Sequence, residues 1–115
     1  LGLSGEVFIG DKALLKYLES PDDYVDLAAM WNGETALPFV FGRLCFNRNG
    51  KRYKKLSHEF NNQKIKIPHY VMIGEATQKG FSCRDAKEYL ALISYRIGAK
   101  EERGFALFMK KAKKL

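Results

Sequence analysis

The residues best suited to meet a ligand are Gly10 and Asp11, in the run Phe8-Ile9-Gly10-Asp11-Lys12-Ala13-Leu14. A glycine lets the main chain pass close to a bound molecule, and a helix starting just beyond it offers unpaired N–H groups to an anion. Asp11 is the acid in this chain offered for proton transfer. Its carboxylate is equally fit to cap the helix by accepting from those same N–H groups. The run therefore reads either as an anion cradle or as a turn with its cap. A second stretch, Pro38-Phe39-Val40-Phe41-Gly42, fits the wall of an apolar pocket or a buried core strand. Arg43 follows it; a guanidinium grips both oxygens of a carboxylate at once, although an arginine at a strand end is also commonly just exposed.

Other chemistries find no support in the spacing. His58 and His69 are separated by a helix end and a proline, and neither forms a ligand pair with the other or with Cys45 or Cys83, so no metal is expected. There is no GxSxG elbow and no phosphate-binding P-loop. Cys83 sits at a predicted helix start with no base near it in sequence. Without a CxxC pair or a basic-then-apolar leader, two reduced thiols in a cytoplasmic protein are expected. No apolar run approaches the ~20 residues that span a bilayer, which argues against a membrane protein.

The charge is lopsided. Residues 1–42 hold two bases and seven acids, net −5, and residues 43–115 hold 18 bases and six acids, net +12. A basic half meets nucleic acid or another anion in some proteins, but lysines on solvated helix faces are the plainer reading. No aromatic-and-glycine RNA signature or zinc-finger spacing accompanies them, so no nucleic-acid partner is expected.

The elements that must position these residues follow from periodicity and punctuation. Residues 6–9 form a short β-rich run. Ala13, Leu14, Tyr17 and Leu18 then repeat at helical spacing over residues 12–19, and Ser20-Pro21 stops the helix. Residues 24–28 read as a second strand, 29–35 as a helical turn or loop, and 37–46 as a strongly apolar third strand opened by Pro38. Asn47-Arg48-Asn49-Gly50 is a turn. Four helices follow. They cover residues 51–63, 69–79 between Pro68 and Gly80, a segment opened by the Ser82-Cys83-Arg84-Asp85 capping box, and 99–113. The order β-α-β-(α)-β-α-α-α-α predicts an α/β fold with few strands and a helical tail.

Taken together, Ile9-Gly10-Asp11-Lys12-Ala13-Leu14, then Asp26-Leu27 with Trp31, then Leu37-Pro38-Phe39-Val40-Phe41 resemble the second half of chorismate dehydratases, menaquinone-biosynthesis enzymes of the futalosine pathway. The family's pattern there is an I-G-D-x-A-L turn, a D-L…W segment and a T-G-L-P-F-V-F strand; Ala36 stands where the family usually has Gly. The tail Tyr95-Arg96-Ile97-Gly98 with Glu101, Gly104 and Phe105 also resembles the family's last helix, and Pro68-His69-Tyr70 is similar to epsilon-proteobacterial members. The likeness covers nearly all of this chain and about the C-terminal half of the family's.

That resemblance implies the C-terminal half of a two-lobed, periplasmic-binding-protein-like (type II) fold with a ligand cleft. Residues 1–37 would belong to the second lobe, and residues 38–115 would form the return crossing strand and the helices completing the first. It implies a cytoplasmic hydro-lyase that removes water from chorismate to leave 3-[(1-carboxyvinyl)oxy]benzoate, with no cofactor. Carried over residue by residue, Gly10, Asp11, Phe39 and Phe41 become substrate-binding positions, and Asp11 the candidate acid or base. The family's Asn and Ser/Thr substrate contacts would lie upstream of Leu1. These 115 residues alone are then expected to be inactive, joined in the working protein by an N-terminal half or by a second copy. Two other readings stand beside this one: a solute-binding-like module for a small carboxylate, without turnover, and the sibling dihydroxynaphthoate-forming enzyme of the same pathway.

Overall fold

A computed structural model describes residues 5–64 and 66–115; expectations placed on residues 1–4 lie outside them. The described residues hold six α-helices: α1 (Gly10–Glu19), α2 (Leu27–Thr35), α3 (Gly50–Asn62), α4 (His69–Lys79), α5 (Cys83–Ala91) and α6 (Ala99–Ala112), with a 3-10 turn at Pro21–Asp23. Their ends follow local chemistry. Pro21 cannot extend α1, because its ring occupies the place of the next backbone donor. Gly80 adopts φ +85° beyond α4, and the N–H groups of Gly80 and Phe81 donate to the carbonyls of Thr77 and Ala76 at 3.2 and 2.8 Å. This is the Schellman closure, which needs a residue at ease in the left-handed region. Ser82 caps α5 by accepting from the Asp85 N–H at 3.0 Å. Glu101 reaches back to accept from the Gly98 N–H at 2.8 Å and so opens α6.

The α/β expectation is overturned: among the described residues there is no β-strand. A strand exists only as part of a ladder, where a second strand satisfies its N–H and C=O groups. Residues 6–9 and 38–46 lie outside any helix, as a strand would, but pair with no other strand. The two-lobed sheet architecture falls with them. Residues 24–28 fail for a different reason. The Asp26 carboxylate accepts from the N–H groups of Ala28 and Ala29 at 2.9 and 3.0 Å, which starts α2 at Leu27 and turns the would-be strand into a helix entrance.

The chain divides into two compact units. One comprises the described residues up to Val25 together with Ile67–Leu92; the other comprises Asp26–Lys66 and Ile93–Leu115. In the first, α4 packs on α5, and the residues removed from water are small: Ala76 and Ala86. In the second, Gly104 of α6 is the buried position among the described residues. A Cβ at Gly104 would collide with the Pro38 carbonyl oxygen, so glycine is what lets α6 lie against the main chain of residues 37–38. Many large apolar side chains stay in contact with solvent, Ile9 (82%) and Phe41 (78%) among them.

Candidate functional site

The two stretches singled out by sequence fall in different units, and each has its own geometry. In the first unit Gly10 is the opening residue of α1, at φ +63°. A Cβ there would meet nothing within 4 Å, so glycine is required by the backbone angle and not by crowding. Ile9, not Asp11, occupies the cap position, and it supplies no side-chain hydrogen bond. The expected capping role of Asp11 is therefore corrected: it lies two residues beyond the cap position, and its carboxylate is bonded elsewhere. Its Oδ2 accepts from the Lys79 Nζ at 2.7 Å. The first-turn amides of α1 are left without a side-chain partner from Asp11.

Lys79 comes from the last turn of α4, 68 positions away in sequence. Its placement depends on the turn that follows it. A Cβ on Gly80 would sit 3.4 Å from the Leu15 Cδ2, so the left-handed closure of α4 rests against α1 and brings the lysine alongside the first turn of α1. The hydrogen bond and charge of Asp11 raise the Lys79 pKa above its ordinary value, with a smaller push from Glu75. Phe8 just upstream is overlain by Lys16 Nζ at 4.7 Å and Lys12 Nζ at 5.2 Å and meets the Tyr24 ring edge-on at 6.1 Å. These cations suit a ring's negative face.

In the second unit, Phe39 is the hub of an aromatic cluster. Its ring lies 5.1 Å from Phe108, 5.2 Å from Phe41 and 6.2 Å from Trp31, all in edge-to-face arrangements. Such pairing is favourable because the positive edge of one ring meets the negative face of the next. Trp31 is also 5.8 Å from Phe108, with Lys111 Nζ over its face, and its indole N–H is buried with no partner among the described residues. Phe39 is thus half-buried, whereas Phe41 presents most of its ring to solvent. Arg43 is not a free guanidinium. It donates to Glu102 Oε1 at 3.0 Å and lies 4.6 Å above the Phe105 ring. Its role is to fasten the extended segment to α6, and the carboxylate it grips is the protein's own.

Beyond these, Leu44 and Phe46 with Tyr53, Lys54, His58 and Asn61 of α3 line an open groove of about 300 Å³. Phe46 stacks on Tyr53 at 5.9 Å, and the Asn62 amide donates to His58 Nε2 at 2.8 Å. Cys45 and Cys83 are free thiols and belong to separate units.

A family model described as menaquinone biosynthesis matches residues 2–114. The chain belongs to this menaquinone biosynthesis family. Among curated proteins it is similar to the chorismate dehydratase of Campylobacter jejuni subsp. jejuni serotype O:23/36 (strain 81-176), at 39% identity over 112 residues. That match takes in 96% of this chain and 50% of the relative, so the chain spans about half the length of the curated protein it resembles. No solved structure matches. Sequence reasoning singled out the Gly10 turn, Asp11 and the two phenylalanines as candidates. It missed Lys79 and Glu102, whose partners lie 68 and 59 positions away. The lone sequence cue was their place near helix ends, Lys79 in a last turn and Glu102 in a first.

Proposed function

We propose that this chain forms part of a chorismate dehydratase, a carbon–oxygen lyase that removes water from chorismate to give 3-[(1-carboxyvinyl)oxy]benzoate during menaquinone biosynthesis. The observation that carries this reading is the 39% identity to a chorismate dehydratase maintained along nearly the whole chain. The reaction is an elimination: a ring carbon gives up a proton, the ring hydroxyl departs as water, and aromatisation supplies the driving force. Such chemistry asks a protein chiefly to hold a dicarboxylate in one orientation and to aim polar groups at the leaving oxygen.

In this proposal Gly10 and Asp11 are substrate-binding positions of the first unit. Asp11 touches the substrate, and the carboxylate is the group offered as acid or base. Phe39 and Phe41, which belong to the second unit, are proposed as apolar substrate-binding positions of that unit taken by itself. The fixed aromatic surroundings of Phe39 support a wall role, and the exposed ring of Phe41 is in keeping with a side chain that awaits a partner. The chain acts together with the remainder of the protein, in the cytoplasm. No helix is long and apolar enough to cross a membrane among the described residues.

The test is direct. The complete protein that carries this chain, incubated with chorismate, should form 3-[(1-carboxyvinyl)oxy]benzoate faster than chorismate decays in buffer. Chorismate consumption no faster than in buffer, or binding of chorismate without turnover, would replace the enzyme by a carboxylate-binding module.

A further inference from the structure

Resting on the reading above, we infer that Lys79 is a positioning residue for Asp11, holding one carboxylate oxygen so that the other is presented to the hydroxyl of the substrate. An aspartate in the first turn of a helix ordinarily folds back toward the free N–H groups there, where dipole and donors both favour it. In this protein that outcome is prevented. Lys79 Nζ holds Asp11 Oδ2 at 2.7 Å, and α1 has no side-chain cap at all. Among the described residues Asp11 Oδ1 has no protein donor, so it stands available to a ligand.

The arrangement is built by more than one residue. Gly80, at φ +85° and against Leu15, closes α4 so that its last lysine lands beside the first turn of α1. Gly10, at φ +63°, sets the direction in which Asp11 leaves the main chain. Both partners are about half exposed, so the pair adds little to stability. Its value lies in orientation, which a charge-assisted hydrogen bond fixes well. A carboxylate oxygen accepts from a hydroxyl and repels another carboxylate. Asp11 held in this way therefore reads a polar feature that chorismate has and its product lacks: the ring hydroxyl, present before the elimination and absent after it.

The experiment compares wild type, Lys79→Met, Lys79→Arg and Asp11→Asn in the complete protein. It measures KM and kcat for chorismate and the inhibition constant of 3-[(1-carboxyvinyl)oxy]benzoate. Losing one oriented hydrogen bond to a charged acceptor is expected to raise the chorismate KM about tenfold in Lys79→Met. The inhibition constant of the product should stay within about twofold, because the product has no hydroxyl to lose. Lys79→Arg should recover most of the lost affinity, since arginine keeps the charge and the donor. Asp11→Asn combined with Lys79→Met should be no worse in KM than Asp11→Asn alone. Unchanged kinetics in Lys79→Met would overturn the assignment, and so would an equal weakening of chorismate and product, which marks a structural role. A wild-type protein that makes no product would remove the functional reading itself, an outcome distinct from either.

Discussion

The two units position their candidate residues by opposite means. In the first, Asp11 is set by a single exposed ion pair and two left-handed glycines. In the second, Phe39 is set by packing: rings on three sides, Gly104 admitting the Pro38 carbonyl, and Arg43 fastened to Glu102 and Phe105. A carboxylate that must answer a ligand gains from a partner that orients it without burying it. An apolar wall gains from surroundings that leave it one conformation. Stability and function should therefore separate. Changes in the second unit should act mainly on folding, and changes at the Asp11–Lys79 pair mainly on substrate affinity.

The sharpest break of that comparison uses one substitution at two glycines. Gly104→Ala drives a methyl group into the Pro38 carbonyl and should cost about 2–3 kcal/mol in denaturant unfolding. Gly74, in the middle of α4, has nothing within 4 Å of its would-be Cβ. Gly74→Ala should therefore raise stability by about 1 kcal/mol, the ordinary helix-propensity gain. Destabilisation by both would mean that the crowding at Gly104 is not the cause.

Ala36 gives the next effect. It ends α2 at φ 54°, where its methyl group opposes the left-handed backbone. Ala36→Gly should stabilise by about 1 kcal/mol in the same measurement. Removing the Arg43 clamp is a smaller step: Arg43→Met loses a half-exposed ion pair and a cation–π contact and should cost about 1 kcal/mol.

The smallest effects lie in pH. Asp11 raises the Lys79 pKa, so the pair's contribution is complete below the ordinary lysine value of 10.5 and disappears as pH climbs through the raised value. Glu101 shows the opposite sign. Backbone N–H groups of Glu101 itself and of Gly98 hold its carboxyl below the ordinary 4.5, so its support of the α6 entrance is present above that value and is lost as pH falls further. Melting curves should accordingly stay flat between these limits and decline beyond both. A transition near neutral pH would point to a titrating group outside these two contacts.

What the sequence made legible was the local part. Helices with a proline before them and a glycine or a serine cap beside them lie close to where their punctuation puts them: α3 at Gly50–Asn62, α4 at His69–Lys79, α5 behind Ser82 and α6 behind Gly98. Apolar β-rich runs misled, because residues 6–9 and 38–46 carry strand composition while pairing is a property of two segments at once. The strand reading of residues 24–28 left out the cap that Asp26 makes, and Asp11 looked like a cap until Lys79 claimed it. The candidate positions divide in the same way. Gly10, Asp11, Phe39 and Phe41 were named from motif alone, whereas the contacts of Lys79 and Glu102 exist only in the folded chain.

The most direct measurement of the central claim follows chorismate and 3-[(1-carboxyvinyl)oxy]benzoate by chromatography in the presence of the complete protein. The account predicts that each chorismate lost appears as one molecule of that benzoate, at a rate proportional to enzyme concentration. Chorismate that disappears no faster than in buffer, or that yields 4-hydroxybenzoate or prephenate instead, would contradict it.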